Sequence, residues 1–204
     1  MMIERPTSGR VILNGIDLTS LTPGELAATR SGMQIVFQNP GASLNPDLSV
    51  ERVVREPLDV LRIGTRAERR DRVREALCMV GLHASDAAAR PRQFSGGQQQ
   101  RIAIARAIVV EPRVLFADEA ISALDVSIGR RILDLLLGLR ERLRFSMVFV
   151  SHDLAVVQGV CDRVGVLYRG SLVEFADTSL LYSRPQHEYT RMLIEAARHT
   201  ELQA

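Results

Sequence analysis

FSGGQQQRIAIARAIVVEPRVLFADEAISALDVSIGRRILDLLLGLRERLRFSMVFVSHD, residues 94–153, contains two short apolar runs that each end abruptly in polar residues. Residues 114–117 give way to Asp118 and Glu119, and residues 147–150 give way to Ser151, His152 and Asp153. Residues 128–142 between them read as a helix. Ahead of them, Ser95-Gly96-Gly97 breaks the chain, and 98–110 is predicted helical with Ile102, Ala105 and Val109 at the spacing of one buried side. Strand and helix in alternation predict an α/β fold with a mostly parallel sheet, whose ligands sit at the carboxyl ends of the strands.

Toward the amino end, residues 10–15 read as a strand running into an Asn14-Gly15 turn, and Thr22-Pro23-Gly24-Glu25 reads as a capped helix start. A strand over 34–37 leads to Gln38. The run NPGASLNP over 39–46 is rich in turn formers and reads as a loop. A helix is predicted over 49–61, and Thr65 with Glu68 opens a second whose Val73, Ala76, Leu77 and Val80 share a face. No strand pattern interrupts 40–93, which reads as a helical subdomain inserted in the sheet domain. Toward the carboxyl end, 164–168 and 171–175 predict a hairpin around Arg169-Gly170, followed by a short helix in a C-terminal extension over 176–204.

Composition narrows the function classes. The 204 residues are 46% hydrophobic, enough for a substantial core. The longest apolar stretch, around 132–139, contains Asp134 and is flanked by Arg130, Arg131 and Arg140, far short of the roughly 20 apolar residues of a spanning helix. The first residues show no basic region followed by an apolar one, so nothing reads as a secretion signal. Cys78 and Cys161 fit no metal spacing and read as reduced thiols of a cytoplasmic protein. A net charge of +2 gives no argument for nucleic acid. All 26 basic residues are arginine, which excludes chemistry that needs a lysine ammonium.

The polar strand ends are where chemistry is expected. An Asp-Glu pair after a strand can hold a divalent cation and orient a water, although such a pair more often only opens a solvated loop. A lone His152 more often caps a turn. Two glycines after Ser95 let a backbone approach an anion at a helix start, though serine and glycine are also ordinary cap residues. Order and spacing decide between these readings. Gln38, a helical insertion, FSGGQQQR, a strand ending in Asp118-Glu119, the SALD of 122–125 and a strand ending before His152 follow one another along the chain.

That series resembles the ATPase subunits of ABC transporters, a P-loop NTPase-like fold, over nearly the whole chain. Gln38 is similar to their Q-loop, 94–101 to the signature motif, 114–119 to the Walker B strand, 122–125 to the D-loop and His152 to the H-loop. VFQNPGASLNP, SALDVS and RPQHEYTRMLIEA most resemble the oligopeptide, dipeptide and nickel importer branch. The resemblance implies ATP and Mg2+ as cofactors, with Asp118 and Gln38 toward the metal, Glu119 as general base and His152 and Gln38 at the γ-phosphate. It implies that Ser95, Gly96, Gly97, Gln98 and Asp125 bind ATP held by an opposite subunit. The implied partners are membrane-spanning permease subunits and a second ATPase subunit, identical or different, with no nucleic acid. The implied place is the cytoplasmic face of the membrane.

Two departures qualify the expectation. The family's phosphate loop, GxxxxGK followed by Ser or Thr, is expected ahead of residues 4–9 and is not among the 204 residues. The first strands and central helix would lie there too, so uncovered apolar surface is expected. Ala120 stands where the family usually has proline. Three readings remain open: an importer ATPase lacking its first part, an incomplete subunit lending its signature motif to a partner, and a non-transport ABC protein. The coupling surface to the permease is expected just after Gln38, with Ala42, Leu44 and Leu48 partly exposed.

Overall fold

The computed structural model describes residues 4–201, in two compact units that divide between Val150 and Ser151. In the first, β1 (Ile12–Leu13) and β2 (Ile16–Asp17) pair across Asn14 and Gly15, both at positive φ as a tight hairpin turn demands. Helix α1 (Pro23–Arg30) starts at Thr22, which exchanges hydrogen bonds with Glu25. Strands β3 (Met33–Val36), β4 (Val114–Asp118) and β5 (Ser146–Val150) form a parallel sheet in that order. Val36 pairs with Ala117 and Ala117 with Phe149, so all three strands end at one level.

Between β3 and β4 the chain is helical. Residues 40–43, expected as loop, form a short helix α2 (Pro40–Ser43), because Asn39 caps it by accepting the Ala42 N–H at 3.2 Å and Pro40 supplies a ready helical φ. Then come α3 (Val50–Val60), α4 (Arg66–Met79) and two 3-10 turns, Ala84–Ala88 and Pro91–Gln93. Ser49 caps α3, and Thr65 with Glu68 caps α4. Arg55 and Arg69 both reach Asp59, at 2.9 and 2.8 Å, tying α3 to the start of α4.

Helix α5 (Gly96–Ile108) is the axis of the core. The sequence places one side of it inward, but Ile102, Ala103, Ile104, Ala105, Ala107 and Ile108 are all buried. Neighbours therefore cover more than one side of its second half, where only Arg101 and Arg106 are half-buried rather than buried. The α3 and α4 residues Val53, Val54, Leu58, Val73 and Leu77 share one core with it, which continues into Leu115 and Ala117 and into α6 (Val126–Leu143). Residues of the 40–93 segment thus share the core of the first unit. The opposite sheet face carries a smaller cluster of Leu18, Leu26 and Met33. Beside it Val148 and Val150 are 44% and 46% exposed, the uncovered apolar surface expected from the sequence.

The second unit starts at Ser151. It holds α7 (Leu154–Val160), the hairpin β6 (Arg163–Tyr168) and β7 (Ser171–Asp177), α8 (Thr178–Ser183) and α9 (Glu188–Glu201). Arg169 and Gly170 turn the hairpin at positive φ, as expected. One short helix was expected after the hairpin; α8 and α9 follow it, and α7 precedes it because Asp153 caps the Ala155 and Val156 amides.

Candidate nucleotide site

The carboxyl edge of the three-stranded sheet collects Gln38, Asp118 and Glu119. Gln38 lies two residues beyond β3 and is exposed, and Asp118 is the exposed last residue of the neighbouring β4. Glu119 is half-buried with a φ of 47°, a left-handed backbone that a side chain rarely adopts. Hydrogen bonds hold it there. Its N–H donates to the Val150 carbonyl at 3.0 Å, and its own carbonyl accepts from the Ser122 N–H at 3.1 Å and the Ser122 hydroxyl at 2.9 Å. The same hydroxyl faces Glu119 Oε2 at 3.2 Å, so the carboxylate is oriented as well as the backbone. Ala120 is wholly buried.

Ser95, Gly96, Gly97 and Gln98 open α5. Ser95 and Gln98 form a reciprocal cap: Ser95 Oγ accepts the Gln98 N–H at 3.4 Å and Gln98 Oε1 accepts the Ser95 N–H at 3.0 Å. Helix geometry leaves the Gly96 and Gly97 amides without an intrahelical acceptor, a place suited to an anion. The two glycines differ. Gly96 is exposed, and a Cβ there would lie 3.8 Å from Leu124, an ordinary contact. Gly97 is buried, and a Cβ there would come within 2.7 Å of Ile128 Cγ2 on α6. Its glycine is therefore demanded by helix packing. Asp125 precedes α6 and is exposed, its carbonyl accepting the Ile128 and Gly129 amides.

His152 follows β5 by two residues, is exposed and belongs to the second unit. The expectation for the segment after Gln38 needs one correction. Ala42 is exposed and Leu48 half-buried, but Leu44 is 2% exposed and lies in the main core. The turn of α2 carries it inward, and Arg106 of α5 fixes that turn by donating to the Ser43 carbonyl at 2.6 Å. Among the described residues no group of three or more His, Cys, Asp or Glu side chains could cage a metal. The exposed Asp118 carboxylate and Gln38 amide are instead the sparse oxygen donors suited to Mg2+, which keeps waters and substrate phosphates as its other ligands.

A strand-end acidic turn beside a parallel neighbour, with a glycine-opened helix in the same unit, calls for comparison with known families. The model of the ABC transporter family matches residues 1–122, more than half of the chain. The chain belongs to the ABC transporter family. A Brucella ovis protein named for peptide import ATP binding is 47% identical over 196 residues, 96% of this chain and 62% of that protein. The oligopeptide transport ATP-binding protein AppF of Bacillus subtilis is 42% identical, over 95% of this chain and 59% of its own length. The chain thus spans about three fifths of these relatives. Among solved structures, an ATP-binding cassette in a dimeric, post-hydrolysis state bound to ADP and Pi is 35% identical with a TM-score of 0.74, covering 86% of this chain and 76% of that one. The cbiO1 protein of Clostridium perfringens, part of the ABC transporter complex cbiONQ, is 28% identical with a TM-score of 0.79, covering 89% and 71%.

Sequence reasoning passed over two residues of the site. Gln100, inside a run of three glutamines, is wholly buried and bonds to the loops after β3 and β4. Ser122 was read only as part of SALD, yet it orients Glu119. No local pattern marks Gln100, since its partners lie 63 and 20 residues away.

Proposed function

We propose that the chain serves as the ATP-binding and ATP-hydrolysing subunit of an ABC importer that takes up peptides or a related small solute, at the cytoplasmic face of the membrane. The observation that carries this is the sheet edge, where Gln38 and the Asp118-Glu119 turn leave adjacent parallel strands at one level. The names of the relatives support the peptide branch. Glu119, oriented by Ser122, would act on the attacking water as general base. Asp118 and Gln38 would hold Mg2+, which when bound neutralises phosphate charge. Gln38 would meet the γ-phosphate, and the 40–93 segment would serve as the helical subdomain.

A specific observation shapes how the nucleotide is held. The start of α5 is intact, with Ser95 and Gly96 exposed. Ser95, Gly96, Gly97, Gln98 and Asp125 act on ATP held by a second ATPase subunit that has a phosphate loop. Co-purification with the membrane-spanning subunits of a peptide importer tests the importer assignment. Retention that drops on Ala42→Asp supports it, and a chain that never associates with them speaks against it.

A further inference from the structure

Gln100 is wholly buried, and its one amide nitrogen donates to the Ala120 carbonyl at 2.8 Å and, more weakly, to the Phe37 carbonyl at 3.4 Å. Phe37 immediately precedes Gln38, and Ala120 immediately follows Glu119. Among the described residues its Oε1 has no partner. An unpaired buried oxygen is costly, and an apolar side chain of the same length would fill the space without that cost. What the amide adds is a link. An NH2 group has two hydrogens, and here each goes to the backbone of a different strand-end segment. Two other α5 side chains also hold carbonyls: Gln99 reaches Pro91 and Phe94, both at 3.1 Å, and Arg106 reaches Ser43. Only Gln100 among these three joins the Gln38 loop to the Glu119 turn.

We propose that Gln100 is a positioning residue that fastens the Gln38 loop to the Glu119 turn through the signature helix α5, so that a displacement of one is transmitted to the other. Its functional meaning rests on the nucleotide role assigned above to Gln38 and Glu119; the link itself does not need nucleotide. Transmission gives a readout that simple core packing would not move. Asn39→Ala removes the cap of α2 and loosens the Gln38 loop.

Amide hydrogen exchange then reports on both sides: the Leu44 N–H, bonded to the Pro40 carbonyl, and the Ser122 N–H, bonded to the Glu119 carbonyl. Asn39→Ala should speed exchange about tenfold at Leu44 and severalfold at Ser122, while β4 amides stay protected. In the Gln100→Met background the Leu44 response should remain and the Ser122 response vanish. An equal Ser122 response with and without Gln100, or none in the native background, overturns the proposal. Should Gln100→Met not fold, Asn39→Ala alone decides: faster exchange at Ser122 with β4 unchanged supports the link, and exchange confined to residues 40–44 overturns it. Because no ATP enters the measurement, failure of the link is distinct from failure of the nucleotide reading.

Discussion

Single side chains at the site answer to packing as well as to chemistry. Leu44 is buried in the core while Ala42, two residues earlier, is exposed. A carboxylate at Leu44 has no partner and leaves a cavity, so Leu44→Asp should cost about 3 kcal/mol or more, read from the urea midpoint. Ala42→Asp should leave that midpoint within about 0.5 kcal/mol of native, which makes it the clean probe of permease docking. Gly97 behaves like Leu44. Its place against Ile128 means that Gly97→Ala should destabilise by about 1–3 kcal/mol, with part of the loss returned by Ile128→Ala in the double variant. At this scale the sequence located Asp118, Glu119 and Ser95 well, because strand ends and helix starts carry local signals. It could not separate the two glycines or turn Leu44 inward, since both depend on what the folded chain places opposite them.

Elements whose ends are fixed by neighbouring residues were legible, and those fixed from afar were not. The caps at Thr22 and Thr65 formed as the spacing predicts, and Ser49 and Ser95 cap α3 and α5. Helix α2 was read as loop because Asn-Pro signals both a turn and a helix start, and only the contact with α5 selects the helix. In the second unit the approach to α9 is held from a distance. Glu174 on β7 accepts the Gln186 and His187 amides at 2.9 and 3.0 Å. Partial burial works against its charge, but these bonds prevail and hold its carboxyl below the ordinary 4.5. A depressed carboxyl adds stability that is present above the unfolded value and is lost as the pH falls through the folded one. Protection of the Gln186 and His187 amides should therefore disappear only below about pH 4.5 in the native chain. In Glu174→Ala, which removes both acceptor oxygens, those amides should already be exposed to exchange at neutral pH, with no acid transition left to observe.

For the whole molecule, alternating strands and helices gave the parallel sheet correctly, because that order constrains topology. The division after Val150 was not legible, since it depends on how densely each part packs on itself. The central claim is that the start of α5 completes a site on a partner. Its most direct test is ATP hydrolysis by a mixed assembly of this chain with an ATPase subunit that carries a phosphate loop, comparing the native chain with Gly96→Arg. Gly96 is exposed with room for a side chain, so Gly96→Arg crowds the partner's ATP without disturbing α6. The account predicts that Gly96→Arg lowers turnover at least tenfold, about 1.4 kcal/mol of lost transition-state stabilisation. Turnover that survives Gly96→Arg unchanged would contradict it.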